Sequence, residues 1–333
     1  MRAPETRDAV VVGAGPGGLS CAVALRQEKV DVLVLDKGSL TDALRRFPTN
    51  MVYFTTPDRL EIGGVPFVCL GEKPTRAEAL KYYRRVAEQF QLEVRTYERV
   101  VHVSGQDGDF VVETRSGLTG DTARIHARKI VLATGYFDQP NMLRVPGEDL
   151  PHVSHYYTEP HAYVGRKVAV IGGSNSAVEC ALELFRNGVN VTLIVRGAAL
   201  SPSIKYWVAP DIKNRIEAGE IPTLFSTEVI EVKPDHLRLR NLATGAESEL
   251  PSDFVMALTG YRPDYEFLRR LGIQIDPTTL VPAHDPETFE SNVPGLYLAG
   301  VIVAGGDNNK VFIENARFHG EHIAPALRAR LHG

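Results

Sequence analysis

Cysteine is scarce. The 333-residue chain carries three, Cys21, Cys69 and Cys180, and no two of them form a C-x-x-C pair. This excludes a disulfide scaffold, a cysteine-built zinc site and an in-chain dithiol, and it fits a reducing cytoplasm. Positive charge is not in excess either: 37 Lys and Arg stand against 41 Asp and Glu, a net charge of -4. Nucleic acid therefore has no general electrostatic reason to bind, and pairs such as Arg45-Arg46 and Arg84-Arg85 read as solvated faces. No apolar run is long enough to span a bilayer, so no membrane association is expected. His, Asp and Glu show no metal-ligand spacing, so no metal is expected. The opening MRAPETRDA leads straight into a strand, and we expect no signal peptide. What remains, 44% hydrophobic and 23% charged, is a globular composition long enough for two domains.

What the chain does have is one phrase written twice. AVVVGAGPGGLSC starts at Ala9 and VAVIGGSNSAVEC at Val168; Gly13 to Gly172 and Cys21 to Cys180 are both 159 positions apart (172 − 13 and 180 − 21). Each copy reads as apolar strand, glycine-rich turn, helix and second apolar strand, a βαβ unit.

In the first copy Gly13, Gly15 and Gly18 fill G-x-G-x-x-G, with Pro16 and Gly17 between them. The first glycine permits the tight turn, the second lets a pyrophosphate approach the backbone, and the third lets helix and strand pack closely. The following strand ends at Asp36, about 20 residues on, as this fingerprint requires. A carboxylate there accepts ribose hydroxyls and repels a 2′-phosphate. The site is expected to take the adenosine half of FAD or NAD, with Lys37 beside it.

In the second copy Gly172, Gly173, Ser174, Asn175 and Ser176 precede Ala177, so serine replaces the second glycine and alanine the third. Ser174 or Ser176 would add a hydroxyl donor. The strand now ends Val195-Arg196: the acid is gone and a guanidinium, suited to bidentate contact with a 2′-phosphate, follows. Lys205 is a second expected cation. One site refuses the 2′-phosphate and the other invites it, which points to a relay from NADPH to a flavin.

Two further segments end alike. KIVLATGYFDQP contains Thr134 and Gly135, and DFVMALTGYRPD repeats the pattern. Taken as crossings, they predict an FAD domain at 1–140 and 263–333, interrupted by an NADPH domain at 141–262. The fold class expected is α/β, two three-layer Rossmann-like dinucleotide domains, one inserted into the other. GLYLAG and a helix over NKVFIENARFHGEHIAPAL return to the first domain, and that helix is expected to aim its N-terminus at the flavin. Its His319 is a candidate proton shuttle, against the commoner reading of a structural histidine. Thr75 and Glu78 predict a capping box, with Leu80, Tyr83, Ala87 and Phe90 on the buried face of a structural helix.

This order resembles the thioredoxin-reductase-like flavoproteins. IGGVPF, ATGYFDQPNML, SPSIKYW, GYRPDYEFL and AGVIVAGGDNNKVFIENARFHG are more similar still to the bacillithiol-disulfide reductase (YpdA) family, across essentially the whole chain. The resemblance implies an FAD enzyme that oxidises NADPH and reduces a low-molecular-weight disulfide, directly or through a small redoxin, as a homo-oligomer. It completes the FAD set with Val101, Gly300 and Val301. The family carries a cysteine in the first turn where this chain has Gly17. Cys21 and Cys180 occupy equivalent helix positions and read first as packing; the candidates for a substitute catalytic thiol are Cys69, in PFVCLGEKP, and Cys21, although nothing near Cys69 in sequence lowers its pKa.

Other acceptors stay open. Ferredoxin or flavodoxin would need no protein thiol, and Arg45, Arg46 and Arg59 would offer an acidic partner a basic patch. A flavin monooxygenase is disfavoured because the interval LPHVSHYYTEPHAYVG has His155 and His161 but no F-x-G before them. A non-catalytic flavin or NADPH sensor is the reading from another class.

Overall fold

The computed structural model describes residues 5–307 and 310–331. The chain divides into two compact units, one built from the chain up to Arg46, Asn50–Gln139 and the chain from Arg262 onward, the other from Phe47–Thr49 and Pro140–Tyr261.

The first unit opens with β1 (Glu5–Val12), α1 (Pro16–Gln27), β2 (Val32–Leu35), α2 (Asp42–Arg45) and α3 (Arg76–Gln89). The strands β3 (Glu93–Arg95), β4 (Glu98–Gln106), β5 (Asp109–Ser116) and β6 (Thr122–Leu132) follow. They line up as β3-β2-β1-β6-β5-β4, parallel from β3 to β6 and antiparallel beyond. β1 and β2 are apolar at every inner position because both faces are covered. Val10, Val12, Leu33 and Leu35 join one core, while Ala9, Val11, Val32 and Val34 join the other with Cys21, Ala22 and Leu25 of α1.

α3 has the expected capping box: Glu78 N donates to Thr75 Oγ1 at 3.2 Å and Thr75 N donates to Glu78 Oε2 at 2.8 Å. Its buried face is Ala79, Tyr82, Tyr83, Val86 and Ala87. Tyr83 and Ala87 are buried as expected, while Leu80 and Phe90, expected on the same face, lie at its half-buried margins. The rotation has a cause. The Tyr83 hydroxyl donates to Leu60 O at 3.0 Å and the Tyr82 hydroxyl to Val65 O at 2.8 Å, which turns both rings inward.

The second unit contains β7 (Val153–Ser154), β8 (Lys167–Ile171), α4 (Asn175–Arg186), β9 (Asn190–Ile194), α5 (Ala209–Glu217) and β10 (Thr223–Leu224). After them come β11 (Thr227–Val232), β12 (His236–Asn241), β13 (Glu247–Pro251) and β14 (Phe254–Ala257). A five-stranded parallel sheet runs β10-β9-β8-β14-β7, and β11-β12-β13 form an antiparallel sheet. The repeat survives in the pairing register: Ala9 faces Val32, and Val168 faces Val191.

The first unit then resumes with α6 (Tyr265–Arg270), β15 (Leu296–Leu298), a 3-10 turn at Gly300–Ala304, α7 (Ile313–Ala316) and α8 (His319–Ala329). β15 lies parallel to the end of β6, Leu298 opposite Leu132. The tail is two helices rather than the single one expected; Asn309, where that helix was to begin, lies outside the described residues. The break falls at Arg317 and Phe318, where Phe318 N turns to Asn315 O at 3.3 Å. The Arg317 guanidinium reaches away to Asp58 O at 2.7 Å and Glu61 O at 3.0 Å. A tertiary latch therefore wins over continuation of the helix.

Candidate functional site

The first glycine turn joins β1 to α1. Gly13 has φ +114, and a Cβ there would stand 2.3 Å from Ala133 O; a Cβ on Gly18 would stand 1.9 Å from Gly13 O. Both are glycine because the protein leaves no room. Gly15 differs: a Cβ there would meet no protein atom within 4 Å. It caps α1, with Pro16 at the first helical position, where the missing N–H costs nothing. The N–H groups of the first helical turn have no intrahelical acceptor and suit an anion. An open glycine at that end fits a dinucleotide pyrophosphate in contact with the backbone.

Asp36 closes the turn from the side. Its Oδ2 accepts Ala14 N–H at 2.7 Å and its Oδ1 accepts Gly38 N–H at 2.8 Å. Burial pushes the carboxyl above its usual range, opposed by these two N–H groups. Each oxygen keeps a lone pair for a ribose hydroxyl. Lys37 points elsewhere, pairing with Asp138 at 2.8 Å, and Arg46 holds the same carboxylate. Asp138 escaped the sequence reading because nothing local links it to a lysine a hundred residues earlier.

The second turn has the same frame. Gly172 has φ +141, and a Cβ there would stand 2.5 Å from Leu258 O, the counterpart of Ala133 O. Ser174 caps α4 without a side-chain capping bond, and Ser174 and Ser176 are both exposed. The loop after β9 is strapped to this turn. Ser201 N donates to Gly173 O at 2.8 Å, Lys205 N to Asn175 Oδ1 at 2.9 Å, and Asn175 Nδ2 to Ser203 O at 3.1 Å. Arg196 is exposed, and among the described residues nothing pairs its guanidinium. Lys205 Nζ is held by Glu179 Oε1 at 2.7 Å, a partner the sequence did not disclose.

Thr134 and Gly135 follow β6 after Ala133 and are half-buried. Val101 sits where the β4–β5 register skips between Val100 and His102, so no residue of β5 faces it. Gly300 and Val301 open the 3-10 turn after β15. A Cβ on Gly17 would stand 3.0 Å from Gly300 Cα, so the first glycine turn and this one touch backbone to backbone. Of the basic patch, Arg45 pairs with Asp42 at 2.9 Å, and Arg46 is shared between Asp42 and Asp138.

No cysteine has a thiolate environment. Cys21 is fully buried and its thiol is pushed up to about 12; Cys180 is buried and raised by burial and then by Glu183. Cys69 is partly exposed and its Sγ donates to Gly71 O at 3.0 Å. Residual burial and the Glu78 carboxylate raise it as well. Glu78 also accepts Leu70 N–H at 2.9 Å, tying the Cys69 loop to the start of α3. No group of three or more potential metal ligands occurs among the described residues, and no described helix is long and apolar enough to cross a membrane.

Residues 10–300 match the family of pyridine nucleotide-disulphide oxidoreductases. The chain is 42% identical over 326 residues to the bacilliredoxin reductase Bdr of Bacillus subtilis (strain 168), covering 97% of this chain and 98% of that one. It superimposes on the bacillithiol disulfide reductase Bdr (YpdA) of Bacillus cereus with a TM-score of 0.95 at 40% identity, covering 98% of this chain and all of that one. A ferredoxin–NADP reductase of Ignicoccus hospitalis is 29% identical over 301 residues, 89% of this chain and 90% of its own. The paired Rossmann-type architecture and the resemblance drawn from the sequence are borne out. The chain belongs to the pyridine nucleotide-disulphide oxidoreductases, as a flavin-dependent oxidoreductase of the thioredoxin-reductase-like fold that uses FAD and NADPH.

Proposed function

We propose that this enzyme passes electrons from NADPH through FAD to a low-molecular-weight thiol disulfide of the bacillithiol type, directly or through a small redoxin. In this reading residues 1–140 and 263–333 bind FAD, and residues 141–262 bind NADPH. The observation that carries it is the contrast between two strand ends. Asp36, with both oxygens committed to the turn, suits an unphosphorylated ribose; Arg196, with no partner among the described residues, suits a 2′-phosphate. FAD, when bound, supplies the two-electron chemistry between NADPH and acceptor. The chain's own residues bind and orient. Gly15 and the first turn of α1 cradle the FAD pyrophosphate, Asp36 fixes its ribose, and Gly172 to Ser176 hold that of NADPH. The disulfide acceptor is supported by the length and identity of the match to the Bdr proteins. The cysteine usage and the family likeness support a cytoplasmic homo-oligomer.

A second reading, a ferredoxin or flavodoxin acceptor, is favoured by the three raised thiols, since such an acceptor needs no protein thiol. The Ignicoccus relative is of that kind by name. The deciding experiment follows NADPH oxidation at 340 nm without oxygen, with bacillithiol disulfide, a bacilliredoxin disulfide or ferredoxin as acceptor. Turnover with either disulfide is expected. Turnover with ferredoxin alone would replace the first reading by the second.

A further inference from the structure

His319 begins α8 and is 7% exposed. Gly300 N–H donates to its Nδ1 at 3.1 Å. The ring stacks on Phe289, centroids 4.3 Å apart at 24°. The helix start is fixed to α1 from the other side. A Cβ on Gly320 would stand 2.6 Å from Ser20 O, and the Ser20 hydroxyl donates to Arg317 O. Gly300 in turn lies against Gly17, close enough that a Cβ on Gly17 would stand 3.0 Å from Gly300 Cα.

We infer that His319 is a positioning residue of the flavin site: as a neutral imidazole protonated on Nε2, it accepts the Gly300 N–H and holds the Gly300–Val301 backbone against the first glycine turn. This rests on the reading of the first unit as the FAD domain. An Nδ1 that accepts a backbone N–H cannot carry the ring's proton. The tautomer is thus set by the chain, and a shuttle through Nδ1 would break the contact that places the turn.

The titratable groups facing the ring are His284, stacked on Phe289, and His322, edge-on to Phe289 from α8 itself. The Gly300–Ala304 turn and the first turn of α1 contribute none. Burial first, then these two histidines, lowers His319 from 6.5 to about 4. A depressed value means that the stability contributed by the neutral ring is complete above about pH 6.5 and declines below it, while the neutral form itself, and with it the bond to Gly300, is lost as pH falls through about 4.

The test compares wild type with His319→Asn, whose carbonyl can accept the same N–H, and His319→Leu, which cannot. FAD retention is read by flavin fluorescence after gel filtration from pH 7.5 to 4, and Gly300 amide exchange by NMR. We expect His319→Leu to hold FAD at least ~10-fold more weakly and to exchange the Gly300 amide on the order of 100-fold faster. His319→Asn should restore both to within about threefold, and it should lack the acid-dependent loss of flavin seen in wild type. Equal retention by wild type and His319→Leu, or the same pH profile for wild type and His319→Asn, would overturn the inference. Should His319→Leu fail to fold, 15N spectra of the wild-type ring decide: a proton on Nδ1 overturns it, a bare Nδ1 with protonated Nε2 upholds it. Folded wild type that takes up no added FAD would instead overturn the FAD reading, and this inference with it.

Discussion

The two glycine turns share a backbone but not their side chains. In both, the first glycine abuts a carbonyl just past a neighbouring strand, Ala133 O in one and Leu258 O in the other. The second residue diverges for a packing reason. Ala14 is fully buried beside the Asp36 carboxylate that accepts its N–H. Its counterpart must be Gly173, because a Cβ there would stand 2.9 Å from the Val195 side chain that replaces the acid. The third glycine of the first turn becomes Ala177 in the second. So the frame is dictated by contacts of the chain with itself, and in the proposed reading ligand discrimination is left to Asp36, Arg196, Gly15 and Ser174.

The sharpest way to break this comparison is at the third glycine. Gly18→Ala places a methyl 1.9 Å from a backbone oxygen that cannot step aside. Overpacking of this kind costs about 3 kcal/mol or more. We expect the first unit to lose its thermal transition, or to melt many degrees earlier, by calorimetry. Ala177→Gly makes the opposite change and should cost about 1 kcal/mol, the ordinary penalty for glycine inside a helix. Equal costs would mean that the two turns are packed alike.

Arg196→Ala tests the opposition of charge. Loss of charge-assisted bonds to a 2′-phosphate removes about 2–3 kcal/mol, or roughly 50-fold in the KM for NADPH. KM for NADH should change less than threefold, and raising the salt should narrow the difference. A uniform loss with both nucleotides would remove Arg196 from 2′-phosphate recognition. The Lys205–Glu179 pair bears on the same measurement. A lysine already paired at 2.7 Å offers the phosphate less than an arginine with no partner among the described residues, so Arg196 is expected to make the larger of the two contributions.

The sequence disclosed the repeat, the turn glycines and Asp36 against Arg196 because these follow from local rules: strand period, steric need for glycine, and the spacing from turn to strand end. It also disclosed the α3 capping box, which involves residues three apart. It put Tyr83 and Ala87 on the buried face of α3 but missed that the face is centred away from Leu80 and Phe90, because two tyrosine hydroxyls reach carbonyls of the Leu60–Val65 loop. The break in the tail helix was hidden for the same reason, since Arg317 finds its acceptors at Asp58 and Glu61, more than 250 positions away. Lys37 on Asp138 and Lys205 on Glu179 are likewise pairings of tertiary structure, and no spacing announces them.

The finest test exchanges the residue at the second glycine position of the motif, Gly15 in the first turn and Ser174 in the second. Gly15 has an extended backbone, φ -73 and ψ 175, that alanine adopts freely, and open space where its Cβ would go. Gly15→Ala should therefore leave the melting temperature of the flavin-free protein unchanged, yet weaken FAD by about tenfold, since a methyl there takes the place of the pyrophosphate. Ser174→Gly alters the matching point of the second turn, where a hydroxyl is already accommodated. It should shift the KM for NADPH by only about threefold, the worth of one neutral hydrogen bond. If Gly15→Ala binds FAD normally, the first turn holds its ligand away from the backbone, and its glycine would have to be explained by folding rather than by contact. If Ser174→Gly costs tenfold or more, the serine is a true pyrophosphate ligand, and the second turn has replaced close backbone approach with a side-chain donor.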